Sequence, residues 1–134
     1  MNFKTSDNET RLFLFAFSIC FFITEKSYSQ ESFKWVRMSS FHETAMSSFH
    51  SAEANKLQPV RDSAASILKK AEQWQNDGVP SNYDSATLKP LLQNLVVQCK
   101  AINEAVSAKK PDAVLRSLVM KAHDTFHLIL GKTK

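Results

Sequence analysis

Glycine is almost missing from this 134-residue chain, which holds only Gly78 and Gly131. That scarcity excludes a phosphate-cradling glycine loop and leaves long stretches free of the residues that interrupt helices. The two cysteines, Cys20 and Cys99, form neither a CxxC pair nor a CxxCH motif. A thioredoxin-like dithiol and covalent c-type haem are thereby excluded. There is no HExxH and no nucleophile elbow, and serines near the histidines have no spacing that specifies a triad. A catalytic role therefore has no positive feature in the sequence. Charge of one sign is also modest. Seventeen Lys and Arg against thirteen Asp and Glu give a formal charge of +4. The basic residues are scattered, which argues against nucleic acid as a partner.

What is present begins with an export pattern. "MNFKTSDNETR" is polar and carries Lys4 and Arg11, and "LFLFAFSICFFI" (12–23) is an apolar run interrupted only by Ser18. Ser27 and Ser29 then place small residues before Gln30. This is the order of a secretory signal, so residues 1–29 are read as a signal peptide and 30–134 as one helical domain. The run is shorter than the roughly 20 residues that span a bilayer. An uncleaved anchor is the alternative, with Glu25 and Lys26 closing the run. The expected location is periplasmic or secreted. After processing only Cys99 remains, so no internal disulfide can form. Its setting in "LVVQCKAI" reads as a buried structural thiol.

Apolar spacing predicts four amphipathic helices in residues 30–134. The first runs from about Ser32 to Ala54, with Trp35, Met38, His42, Ala45, Phe49 and Ala52 on one face and Phe41 and Met46 widening it. The second starts near Pro59 and carries Val60, Ala64, Ile67, Ala71 and Trp74; "NDGVPSNYD" ends it. The third covers about Ser85 to Ala108, with Pro90 in its first turn and a stripe from Leu88 to Val106. The fourth starts near Pro111 and runs to Leu130, with Gly131 as C-cap. Short links make this an all-α, antiparallel up-down-up-down four-helix bundle in which the first and fourth helices are neighbours. The alternative merges the first two helices through Pro59 into one long kinked element.

All four histidines fall on the first and fourth helices: His42 and His50 in "HETAMSSFH", His123 and His127 in "KAHDTFH". The second pair is at i, i+4, about 6 Å apart along the axis, a usable spacing for two ligands. His42 and His50 are about 12 Å apart and cannot share an ion, although Met46 lies midway. One antiparallel register sets His42 level with His127 and Met46 level with His123. A one-turn slip gathers Met46, His50, His123 and His127. Either arrangement offers imidazole and thioether ligands, which predicts a transition metal, copper or zinc, held by His42, Met46, His50, His123 and His127. Glu43, Glu53 and Asp124 read as solvated groups or as carboxylates that orient a histidine ring.

The arrangement of helices over residues 32–130 also resembles the exported four-helix cytochromes of the b562 and c′ type, most closely the non-covalent b562 kind. That resemblance implies b-type haem as an alternative cofactor, with Met38 or Met46 of the first helix and His123 or His127 of the fourth as axial ligands; Met46 and His123 are the leading pair. It implies electron transfer rather than catalysis. A structural or interaction bundle with no cofactor, working as a homodimer or with an exported partner protein, is the third reading.

Overall fold

Residues 35–134 are the ones described in the structure, a computed structural model of the chain. The expected signal peptide, and residues 32–34 of the expected first helix, lie outside the described residues. The first described residue, Trp35, is extended (φ −127°, ψ 96°) and offers no side-chain cap. Its ring is buried instead, edge-on to Trp74 at 5.2 Å and stacked on Tyr83 at 5.5 Å between centroids. Aromatic packing thus fixes where α1 (Val36–Glu53) begins.

α1 ends on Asn55, at φ 59°. The N–H of Lys56 donates to Ser51 O at 2.9 Å and that of Asn55 to Ala52 O at 3.0 Å. This paired return closes the last turn and separates α1 from α2 (Gln58–Asp77), so the merged three-helix alternative does not hold. Pro59 sits in the first turn of α2, where its missing N–H is harmless. α2 stops at Gly78, whose φ of 75° and ψ of −174° form a backbone conformation essentially reserved for glycine. α3 (Ser85–Ser107) starts under Asp84, which accepts from the N–H groups of Ala86 (3.0 Å) and Thr87 (3.3 Å) and from the Thr87 hydroxyl (2.5 Å). Those bonds hold its carboxyl below the usual carboxylate range.

Two expectations about punctuation are corrected. Pro90 lies inside α3, in its second turn rather than its first. The helix carries on because the carbonyl left without a donor belongs to exposed Ala86. Gly131 does not cap α4 (Asp112–Gly131): it is helical, and Lys132 ends the helix. The left-handed closing residue of α3 is Lys109, at φ 50°, with Lys110 N–H donating to Ala105 O at 2.9 Å.

Each helix packs on its sequence neighbours, and α4 returns to α1, giving an all-α up-down-up-down four-helix bundle. Of the four seams, α1–α4 is the least extensive. The expected face of α2 is buried throughout, as is that of α1 apart from half-buried His42. Cys99 is buried too, and burial pushes its thiol up to about 12. Phe41, Trp74 and Phe126 meet in the middle, with centroids 5.6 Å (Phe41–Trp74), 5.7 Å (Phe41–Phe126) and 6.3 Å (Trp74–Phe126) apart. Full burial of each such ring contributes about 1.5–3 kcal/mol.

Polar ties hold the helix ends. Arg116 of α4 donates to Ala52 O at 3.2 Å, satisfying a terminal carbonyl of α1. Arg61 of α2 donates to Lys110 O (2.9 Å) and to Asp112 (2.7 Å), tying α2 to the α3–α4 turn. Arg37 pairs with Asp77 at the opposite end.

Candidate functional site

The seam between α1 and α4 carries the titratable cluster that the sequence places there. α4 presents His123 and His127 on one face, as their four-residue spacing requires. The two are not equivalent. His123 is 8% exposed, whereas His127 is exposed. Their rings lie 4.5 Å apart between centroids at 79°, with the two Nε2 atoms 3.0 Å apart. On the other side, His123 Nδ1 stands 3.2 Å from Glu53 Oε1 of α1. His50 of α1 meets His123 edge-on, at 5.1 Å and 86°. Phe49 supplies an apolar wall 6.2 Å from the same ring.

The protonation pattern follows from these contacts. The nearby Glu53 carboxylate, which can only accept, favours the tautomer of neutral His123 with its hydrogen on Nδ1. Its Nε2 is then the acceptor, and His127 Nε2–H is the donor. The His127–His123 hydrogen bond lies within α4, and the contact of His123 with Glu53 of α1 is one of ion-pair distance. Burial, first, and the charge of neighbouring His127 hold the His123 pKa below the ordinary imidazole value. Glu53 pulls the other way, His50 adds to the lowering, and Asp124 opposes it.

This geometry corrects the expected metal centre. Among the described residues, no group of three or more His, Cys, Asp or Glu side chains is arranged to hold a metal ion. The reason is visible at His123, where Glu53 and His127 engage both ring nitrogens. His50 and His127 do approach it, but edge-on rather than converging on a common point. His42 lies further along the seam, its ring 5.8 Å from that of Phe126. Met46 is 5% exposed and belongs to the apolar core rather than to the imidazole group. Neither of the two proposed registers is realised as a ligand set: His50, His123 and His127 gather, while His42 and Met46 do not join them. Copper and zinc are therefore withdrawn as cofactors and as partners.

The haem alternative is corrected on the same grounds. The b562-like resemblance extends to the four-helix architecture and stops there. Met46 packs in the core, and His123 faces Glu53 and His127 rather than an axial position. Between the helices, where a flat macrocycle would need space, the rings of Phe41, Trp74 and Phe126 are in contact. Two surface cavities lie elsewhere. One of about 540 Å³ is bounded by Trp35, Arg37, Asp77 and Pro80, and another of about 420 Å³ by Gln75, Val79, Lys89 and Gln93. No histidine or methionine lines either.

Glu53 is the residue whose role the sequence left least defined. Its signal was its place three residues after His50, on the same face of α1. Which carboxylate would reach His123 depended on the axial offset of α1 against α4.

No protein-family model, no curated protein and no solved structure matches this chain. Among the described residues, no helix is long and apolar enough to cross a membrane.

Proposed function

We propose that this protein is an exported helical bundle that carries no cofactor and acts through its surface, as an interaction module for a second copy or another exported protein. One observation carries the reading: the faces of all four helices close on one continuous apolar core whose centre is filled by Phe41, Trp74 and Phe126. Bundles that carry ligands build them into that central space from side chains on facing helices. Here polar groups of α1 and α4 meet at the rim. Export rests on the signal-like order of residues 1–29.

The test is isolation of the untagged protein from the exported fraction, followed by intact-mass measurement, metal analysis and an absorption spectrum. The expected results are cleavage before Gln30, substoichiometric metal and no Soret band. A stoichiometric metal or haem would overturn the cofactor-free reading, and retention of residues 1–29 would overturn cleavage of the segment. Light scattering across a concentration series then separates self-association from a monomer that needs another partner.

A further inference from the structure

The end of α2 joins two chemical groups that the chain brings together nowhere else. Asp77 is the last residue of α2 and Gly78 follows it. No other Asp or Asn in the sequence precedes a glycine. We propose that Asp77–Gly78 is a site of spontaneous backbone isomerisation, in which aspartate becomes isoaspartate, and that Arg37 of α1 holds the reaction in check.

The chemistry needs no cofactor. The backbone nitrogen of Gly78 attacks Cγ of the protonated Asp77 carboxyl and forms a new C–N bond. The nitrogen gives up its proton and the carboxyl its hydroxyl, so one water leaves and a five-membered imide remains. Water then adds to one of the two imide carbonyls. Cleavage at Cγ restores aspartate. Cleavage at the original main-chain carbonyl leaves the chain running through Cβ and Cγ, which is isoaspartate. The water released equals the water consumed, and nothing is oxidised or reduced.

The turn itself creates the opportunity. Gly78 adopts φ 75° and ψ −174°, a conformation essentially reserved for glycine. The residue that the turn requires is therefore also the one with no side chain to shield its nitrogen. There is room for the ring as well. A Cβ placed on Gly78 meets nothing within 4 Å. Asp77 and Gly78 both line the surface cavity of about 540 Å³ beside Trp35 and Pro80, which gives water access to the imide. The site lies at a helix end, where local opening is easiest.

Two contacts oppose closure. The Gly78 N–H donates to Gln75 O at 3.1 Å, which engages the nucleophile. The Asp77 carboxylate pairs with Arg37, which holds the group under attack toward α1. Both must release, and Asp77 must leave the helical ψ near about −42°, before the ring can form. The Arg37 and Asp77 side chains are 39% and 48% exposed, so water screens the pair and the check is partial. Asp84 offers the contrast: three hydrogen bonds hold its carboxyl, and serine follows it. Isomerisation inserts one methylene into the main chain between α2 and the link carrying Tyr83. Because Tyr83 stacks on Trp35, the disturbance falls on the Trp35 end of the bundle.

The experiment stores the purified protein for several weeks at neutral pH and body temperature, beside a synthetic peptide of residues 73–81. Isoaspartate is then read in protease digests by chromatography and by fragment ions that cut its main-chain Cα–Cβ bond. The peptide is expected to convert fastest, the Arg37→Gln protein next and the parent slowest. Arg37→Gln should exceed the parent by about two- to fivefold, the range open to an exposed ion pair. Arg37→Lys keeps the charge and should stay close to the parent. Arg61→Gln removes an ion pair at the opposite end and should leave the rate unchanged, which separates a local check from a general loss of stability. Absence of isoaspartate at Asp77 in the folded parent while the peptide converts overturns the site. Equal rates in the parent and Arg37→Gln, or equal acceleration by Arg61→Gln, overturn Arg37 as its check. The site does not rest on export or on a surface partner, so its failure leaves the proposed function standing.

Discussion

The aromatic centre of the bundle and its histidine seam adjoin at Phe126 and behave oppositely. Phe126 joins them, touching Phe41 and Trp74 on one side and His42 and His127 on the other. The centre is held by burial, which has no direction and little dependence on pH. The seam carries imidazole and carboxylate groups whose interactions depend on where single protons sit. The same two helices therefore combine a fixed packing with an adjustable one, and proximity alone does not make polar side chains a ligand site.

Substitution in the centre gives the largest effect. Trp74→Ala should cost about 3–5 kcal/mol, read as a lower urea midpoint, with the same loss at pH 7.5 and pH 5.5. A loss that changed with pH would show that centre and seam are not independent. Trp74→Phe should cost far less than Trp74→Ala, because the buried indole Nε1–H finds no hydrogen-bond partner among the described residues.

A change at the Trp35 end comes next. Gly78→Ala meets no neighbouring atom within 4 Å, so its cost is the backbone conformation alone, about 1–3 kcal/mol. Thermal unfolding should show the drop without a change in its pH dependence.

His123→Leu tests the seam by turning it into core. Near pH 7.5 its lost hydrogen bonds and gained apolar burial are each about 1–2 kcal/mol and nearly offset one another. Below pH 6 the variant should become more stable than the parent, because the unfolded chain no longer gains a proton there. Parallel stability curves for the two proteins would break the contrast between centre and seam.

The smallest effect separates two pH windows. Asp84, whose carboxyl lies below its usual value, contributes stability above about pH 4 that is lost as pH falls through the folded value. Asp84→Ala should therefore flatten the stability curve below about pH 4 and leave its course between about pH 6.5 and 4 unchanged.

Much of the fold was legible in the sequence. Val60, Ala64, Ile67, Ala71 and Trp74 recur at helical spacing, and every one of them is buried. The turns were legible where side-chain chemistry acts locally, as at Pro59. They were misread at Pro90, placed a turn too early, and at Gly131, which is helical rather than a cap. Pro90 is tolerated inside α3 because its side of the helix is exposed, and α3 closes on Lys109 although glycine suits that conformation better. Of the residues expected at the site, His50, His123 and His127 come together, while His42 and Met46 do not join them. His123 and His127 share a helical face, and periodicity cannot show that one is buried and the other exposed.

The sequence by itself determined four amphipathic helices, their order and the segregation of every histidine to the first and last of them. Those properties follow from spacing along one chain, because backbone hydrogen bonding imposes a period of about 3.6 residues. The tertiary structure alone decided the rest: the offset of α1 against α4, the burial of His123 and its contact with Glu53. Packing between helices sets these relations, and a shift of one turn, about 5.4 Å, would exchange every partner across the seam.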